Sequence, residues 1–136
     1  MEKEPILILT HDGWGQALVK SVRMIIGEIT DVYEVPLQAA DSLADYIAKV
    51  KEQIDQLQWS KKLLILTDIK GGTPSNVALR ISKDYEVIAL SGLCASMLLE
   101  AVMKQEAGGF TREMAQEIQT AVVESCQVLE LPQIQK

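Results

Sequence analysis

The 136-residue chain carries one histidine, His11, so every site that needs two imidazoles is excluded. Its two cysteines, Cys94 and Cys126, stand far apart and form no CxxC pair, which leaves structural zinc and iron–sulfur clusters without a ligand framework. The groups that could do chemistry follow short apolar runs. Thr10-His11-Asp12-Gly13 follows Ile6–Leu9, and Thr67-Asp68 follows Leu63–Leu66 and leads into Lys70-Gly71-Gly72-Thr73-Pro74-Ser75-Asn76. Ser91-Gly92 follows Tyr85–Leu90. If the first and third runs are neighbouring strands, His11 and Asp68 lie side by side at one end of a sheet. A carboxylate beside an imidazole fixes its tautomer and favours its charged form, leaving the other ring nitrogen aimed as a nucleophile or base.

The surroundings suit an anion. Each of the three loops feeds a helix N-terminus, where backbone N–H groups point outward and the macrodipole is positive. Gly71 and Gly72 let the backbone approach a ligand closely. Thr73 reads as an N-cap with Pro74 at the first helical position, and Ser75 and Asn76 add side-chain donors. This is a place to hold a phosphoryl group on histidine, with His11 and Asp68 as the reacting pair and Gly71, Gly72, Thr73 and Ser75 as phosphate binders. Each feature also has a plainer reading: a surface histidine, a turn-capping aspartate, a tight glycine loop. Their convergence on one end of one sheet favours the chemical one.

The elements that must position these groups alternate in period. After Ile6–Leu9, residues Ala17, Leu18, Val22, Ile25 and Ile26 fall at helical spacing up to Gly27. Val32–Val35 forms a second strand closed by Pro36, and Asp41-Ser42 opens an amphipathic helix through Leu57. Leu63–Leu66 is the third strand, a short helix runs through Ile81, and Tyr85–Leu90 is the fourth strand. Helices over Met97–Met103 and Thr111–Glu124 follow. Wholly apolar strands alternating with helices mean an α/β fold with an open parallel sheet of four strands, helices on both faces, in one domain spanning 1–136. Gln127–Leu131 is a last strand-like piece, suited to the sheet edge or to a partner subunit's sheet.

Composition narrows the function classes. A net charge of −6 and a pI near 4.8 argue against nucleic acid as partner, while permitting a basic protein. The start, Met-Glu-Lys-Glu-Pro, lacks the cationic and apolar parts of a signal peptide, and no apolar stretch approaches the roughly 20 residues of a membrane helix. With two isolated cysteines, a cytoplasmic, reducing location is expected. Gly13-Trp14-Gly15 follows a strand, but Leu18 stands where a dinucleotide fingerprint needs Gly or Ala. There is no P-loop and no Gly-x-Ser-x-Gly elbow.

These residues resemble the enzyme IIA domain of the mannose/fructose/sorbose family of the bacterial phosphoenolpyruvate-dependent sugar phosphotransferase system (PTS). The matching pieces run in order over nearly the whole chain. They are Ile-Leu-Ile-Leu-Thr10-His11, Met24-Ile25-Ile26-Gly27-Glu28, Thr67-Asp68 with Gly71-Gly72-Thr73-Pro74-Ser75-Asn76, and Met97-Leu98-Leu99-Glu100. The resemblance implies a phosphotransferase in which His11 takes a phosphoryl group on Nε2 from the phosphocarrier HPr and passes it to a IIB component. IIB then phosphorylates sugar entering through membrane IIC and IID subunits. It further implies that Asp68 accepts a hydrogen bond from Nδ1, that the Thr73 hydroxyl and loop amides hold the equatorial oxygens, and that no metal or cofactor takes part. A homodimer would exchange Gln127–Leu131 as an added antiparallel strand. Related domains also serve as sensors whose histidine phosphorylation is read by a partner protein. The family usually has glycine directly after its active histidine, where this chain has Asp12, and often an aromatic residue where this chain has Lys70.

Overall fold

The computed structural model describes residues 3–57 and 62–132. Strands and helices alternate as β1 (Ile6–His11), α1 (Gly15–Ile26), β2 (Val32–Leu37), α2 (Leu43–Gln56), β3 (Leu63–Thr67), α3 (Thr73–Ile81), β4 (Val87–Ser91), α4 (Ala95–Ala107) and α5 (Arg112–Ser125). The sheet order is β2-β1-β3-β4, and every neighbouring pair is parallel. The two central strands are the ones that read as unbroken apolar runs, and Ile6–Leu9 and Leu63–Leu66 are wholly buried.

Alternation along these strands feeds two cores. Ile6, Ile8, Leu64 and Leu66 pack with Val19 and Val22 of α1, Leu98 and Ala101 of α4 and Ile118 of α5. Leu7, Leu9, Leu63 and Ile65 pack with Tyr46, Val50 and Ile54 of α2 and Val77 and Ile81 of α3. Burying one such side chain contributes about 1.5–3 kcal/mol, so two-sided burial of β1 and β3 concentrates the hydrophobic stabilisation at the sheet centre. Local signals set the helix ends. Ser42 caps α2 in a reciprocal box with Asp45, and Gly27, at φ +86°, closes α1 with its N–H on Arg23 O.

Three elements differ from expectation in their bounds. β2 runs through Pro36 to Leu37 instead of stopping before it; an edge strand tolerates the missing N–H. β4 starts two residues later than the apolar run, at Val87, and α4 extends beyond 97–103 at both ends. Gln127–Leu131 is exposed and pairs with no strand of its own chain, so β4 keeps an open outer edge among the described residues. No helix among the described residues is long and apolar enough to cross a membrane.

The chain leaves β1 toward β2 on one side, and β3 toward β4 on the other. Strand order therefore reverses between β1 and β3, and the crevice of an open α/β sheet lies beyond their carboxyl ends.

Candidate active site

β1 ends on His11, and Asp68 directly follows β3. Their strands are hydrogen-bonded neighbours with Leu9 in register with Thr67. The two residues, 57 apart in sequence, meet there: His11 Nδ1 is 2.8 Å from Asp68 Oδ2. The backbone N–H of His11 donates to the same oxygen at 2.7 Å, and Ile69 N–H donates to Oδ1 at 2.8 Å. The Asp68 side chain is 3% exposed and the imidazole 47%. Burial pushes the Asp68 carboxyl up, but the His11 amide, the His11 ring and the Ile69 amide together outweigh it and hold the carboxyl below the ordinary carboxylate range. An ionised carboxylate only accepts, so in the neutral ring Nδ1 carries the proton and Nε2 the lone pair.

The far edge of the ring faces the start of α3. A Cβ on Gly72 would lie 3.2 Å from His11 Cε1 and 3.8 Å from Nε2, so glycine lets the backbone lie this close without displacing the ring. Gly72 is also the N-cap, with Asn76 N–H on its carbonyl at 3.0 Å. The expected cap, Thr73, thus moves to the first helical position and Pro74 to the second. A threonine hydroxyl makes no cap bond there, and Thr73 instead lines a cleft of about 460 Å³ with His11, Asp12, Leu37, Gln38 and Leu43. Gly71 makes the turn before it at φ +84°. Ser75 is buried, and its hydroxyl bonds Thr67 Oγ1 at 2.6 Å, Ile69 O at 2.7 Å and Ser91 Oγ at 3.0 Å. Of the four expected phosphate binders, Gly72 and Thr73 stand beside the imidazole, Gly71 shapes the turn, and the Ser75 hydroxyl points inward.

The N-terminus of α1 is not an empty anion site. Its first amides, Gly15 and Gln16, donate to the carboxylate of Glu34 on β2 at 2.8 and 3.0 Å, and the Thr10 hydroxyl donates to it as well. Thr10 and Ile8 face α1, whereas His11, two residues on from Leu9, faces α2 and α3. The macrodipole nearest the imidazole is therefore that of α3. Sequence reading missed Glu34; the available signal was a lone carboxylate in the strand run Val32–Val35. Gly15 belongs to the same arrangement, because a Cβ there would sit 2.4 Å from Glu34 Oε2. Glu34→Ala is expected to lower stability by about 1–3 kcal/mol, because the part-buried Thr10 hydroxyl and Gly15 amide, with the exposed Gln16 amide, lose their acceptor; urea denaturation measures it.

Asp12 does not cap α1, whose N-cap is Trp14. It sits at φ +61°, followed by Gly13 at +86°, with its N–H on Leu37 O at 2.9 Å. The left-handed region favours glycine and is tolerated by aspartate, which accounts for this residue at a position where a glycine is expected.

Fold and site together define an open α/β domain that presents one oriented imidazole at the carboxyl end of a parallel sheet. The family model EIIA-man, described as "PTS system fructose IIA component", matches residues 5–119, and the chain belongs to this family. It is 35% identical over 104 residues to the PTS system mannose-specific EIIAB component of Escherichia coli (strain K12), covering 74% of this chain and 32% of that protein. The chain thus spans about a third of the length of the mannose-specific relatives it matches. It is 28% identical over 102 residues to the PTS system fructose-specific EIIA component of Bacillus subtilis (strain 168), covering 74% of this chain and 70% of that protein. Among solved structures, the mannose/sorbose specific IIA subunit of the phosphotransferase system from Enterococcus faecalis superposes with a TM-score of 0.87. The identity is 26%, over 98% of this chain and 100% of that one. The EIIA component from Streptococcus agalactiae gives 0.81 at 28% identity, over 91% and 95% of the two chains.

Proposed function

We propose that the chain is a phosphocarrier of a bacterial PTS sugar transporter: His11 accepts a phosphoryl group from phospho-HPr and passes it to a IIB component. The observation that supports this most is the 2.8 Å bond between His11 Nδ1 and Asp68, which leaves Nε2 at the cleft beside Gly72 and Thr73. The Nε2 lone pair attacks phosphorus in line with the departing HPr imidazole. One P–N bond forms as the other breaks, and the Asp68 carboxylate stabilises the positive charge developing on His11. The Thr73 hydroxyl and the Thr73 and Ser75 amides at the start of α3 serve the equatorial oxygens, and catalysis is positioning plus charge stabilisation. Transfer to IIB reverses the same chemistry, and IIB links the chain to sugar uptake through IIC and IID. Phospho-HPr places the work in the cytoplasm. A homodimer fits as well: the open edge of β4 matches a strand from Gln127–Leu131 of a second copy, whose Val128, Leu129 and Leu131 are exposed here.

The test uses phosphoenolpyruvate, enzyme I and HPr, with intact-mass detection. The expected product is the chain carrying one acid-labile phosphoryl group, absent from His11→Ala. No adduct on the unaltered chain overturns the proposal. A chase with a cognate IIB separates a carrier from a sensor domain: a carrier hands the group on.

A further inference from the structure

We infer that Ser75 is a positioning residue whose hydroxyl sets the 68–72 loop around the His11 imidazole, and that it is not a phosphoryl ligand. This takes His11 as the reacting group proposed above. The argument is a count of protons and lone pairs. A serine hydroxyl has one proton and two acceptor sites. Ser75 Oγ lies 2.7 Å from Ile69 O, and a carbonyl only accepts, so the Ser75 proton is committed there. The hydroxyls of Thr67, at 2.6 Å, and Ser91, at 3.0 Å, must then both donate to Ser75 Oγ. The buried hydroxyl is saturated and has no capacity left for a phosphoryl oxygen.

What it holds is the middle of the loop. The Ile69 carbonyl also accepts Gly72 N–H, at 3.2 Å, while the Ile69 N–H grips Asp68 Oδ1 at 2.8 Å. One residue thus joins both walls of the imidazole: the carboxylate at Nδ1 and the glycine at Cε1. Ser75 ties that residue to Thr67 at the end of β3 and to Ser91 at the end of β4. The carbonyl of Thr67 accepts Gly92 and Leu93 N–H, both at 3.0 Å, so the loop after β4 is fastened to the same point. Without the Ser75 hydroxyl, Ile69 O keeps only the longer bond from Gly72, and two buried or half-buried hydroxyls lose their acceptor.

The readout is the nitrogen and Cε1–H NMR spectrum of the imidazole in the unphosphorylated protein, unambiguous because the chain has one histidine. The unaltered chain is expected to show the Nδ1–H tautomer. Ser75→Ala is expected to shift it toward a tautomer mixture. It should also slow phosphoryl transfer at saturating phospho-HPr on the order of tenfold, with KM for the donor unchanged. Ser91→Ala, which removes one of the two bonds donated to Ser75, is expected to move the spectrum the same way by less, and serves if Ser75→Ala fails to fold. An unchanged imidazole spectrum in either folded variant overturns the inference. So does an unchanged spectrum combined with faster loss of phosphoryl from the phosphorylated form, the signature of a ligand. Because the spectrum needs no donor, a chain that never takes up phosphoryl overturns the carrier proposal and leaves this measurement intact.

Discussion

Asp68→Asn is expected to cut the rate of phosphoryl transfer to His11 by roughly 10²–10⁴-fold, with the fold retained. All three groups on this carboxylate are donors: the His11 amide, the His11 ring and the Ile69 amide. An asparagine amide cannot accept from all three. With its NH₂ toward Ile69, two N–H groups collide. With its NH₂ toward His11, Nδ1 must accept, and the proton moves to Nε2, the atom proposed to attack. Rapid-quench measurement of transfer from phospho-HPr gives the rate, and circular dichroism checks the fold; an unaltered rate takes Asp68 out of the chemistry. The same carboxylate gives stability a pH dependence of defined sign. Its native pKa is depressed, so its bonds stabilise the fold above the ordinary carboxylate range. That contribution is lost as pH falls through the lower native value. Urea denaturation against pH is expected to show this acid limb flattened in Asp68→Asn.

Gly72→Ala is the second large effect, expected at roughly 10²-fold in transfer rate. At φ −77°, ψ 171°, alanine adopts the Gly72 backbone without strain, so the new methyl acts on the ring. At 3.2 Å from Cε1 it forces the imidazole aside by a few tenths of an ångström, yet Asp68 holds the other side, and the methyl also shades Nε2. Gly71→Ala is the contrasting variant. Nothing lies within 4 Å of its new Cβ, but φ is +84°, so it loses about 1–2 kcal/mol of stability with the ring undisturbed. Transfer rate and denaturation midpoint measured on both variants separate crowding from strain. A Gly72→Ala protein as fast as the parent means the nucleophile is not at this edge.

The central strands were legible because they are buried on both faces: only apolar residues survive at Ile6–Leu9 and Leu63–Leu66. Given those runs, the residue just past each one was a natural place to look, and His11 and Asp68 do meet there. Less visible were features decided by which way a side chain turns. Thr73 and Gly72 are both acceptable caps by residue type, and the helix starts one residue earlier than Thr73 as cap would place it, with Gly72 at the cap. Ser75 has the composition of a phosphate ligand, but the first turn of α3 buries its hydroxyl between two strand ends. Glu34 reads as an ordinary polar residue of an edge strand until register sets it opposite Ile8 and under the start of α1. Pro36 reads as a terminator, but its lost N–H matters only in an interior strand, and β2 lies at the sheet edge.

A single oxygen, Asp68 Oδ2, accepts both the main-chain and the ring N–H of one residue. The two bonds close a chelate that spans His11 from its own amide to its own ring, which arrests rotation about Cα–Cβ and Cβ–Cγ together. The freedom the nitrogen would otherwise lose on meeting a donor was surrendered when the chain folded. In the transfer proposed above, a partner would then meet a nitrogen already at rest, and the activation entropy would reflect the docking of two surfaces, not the search of a side chain for its angle.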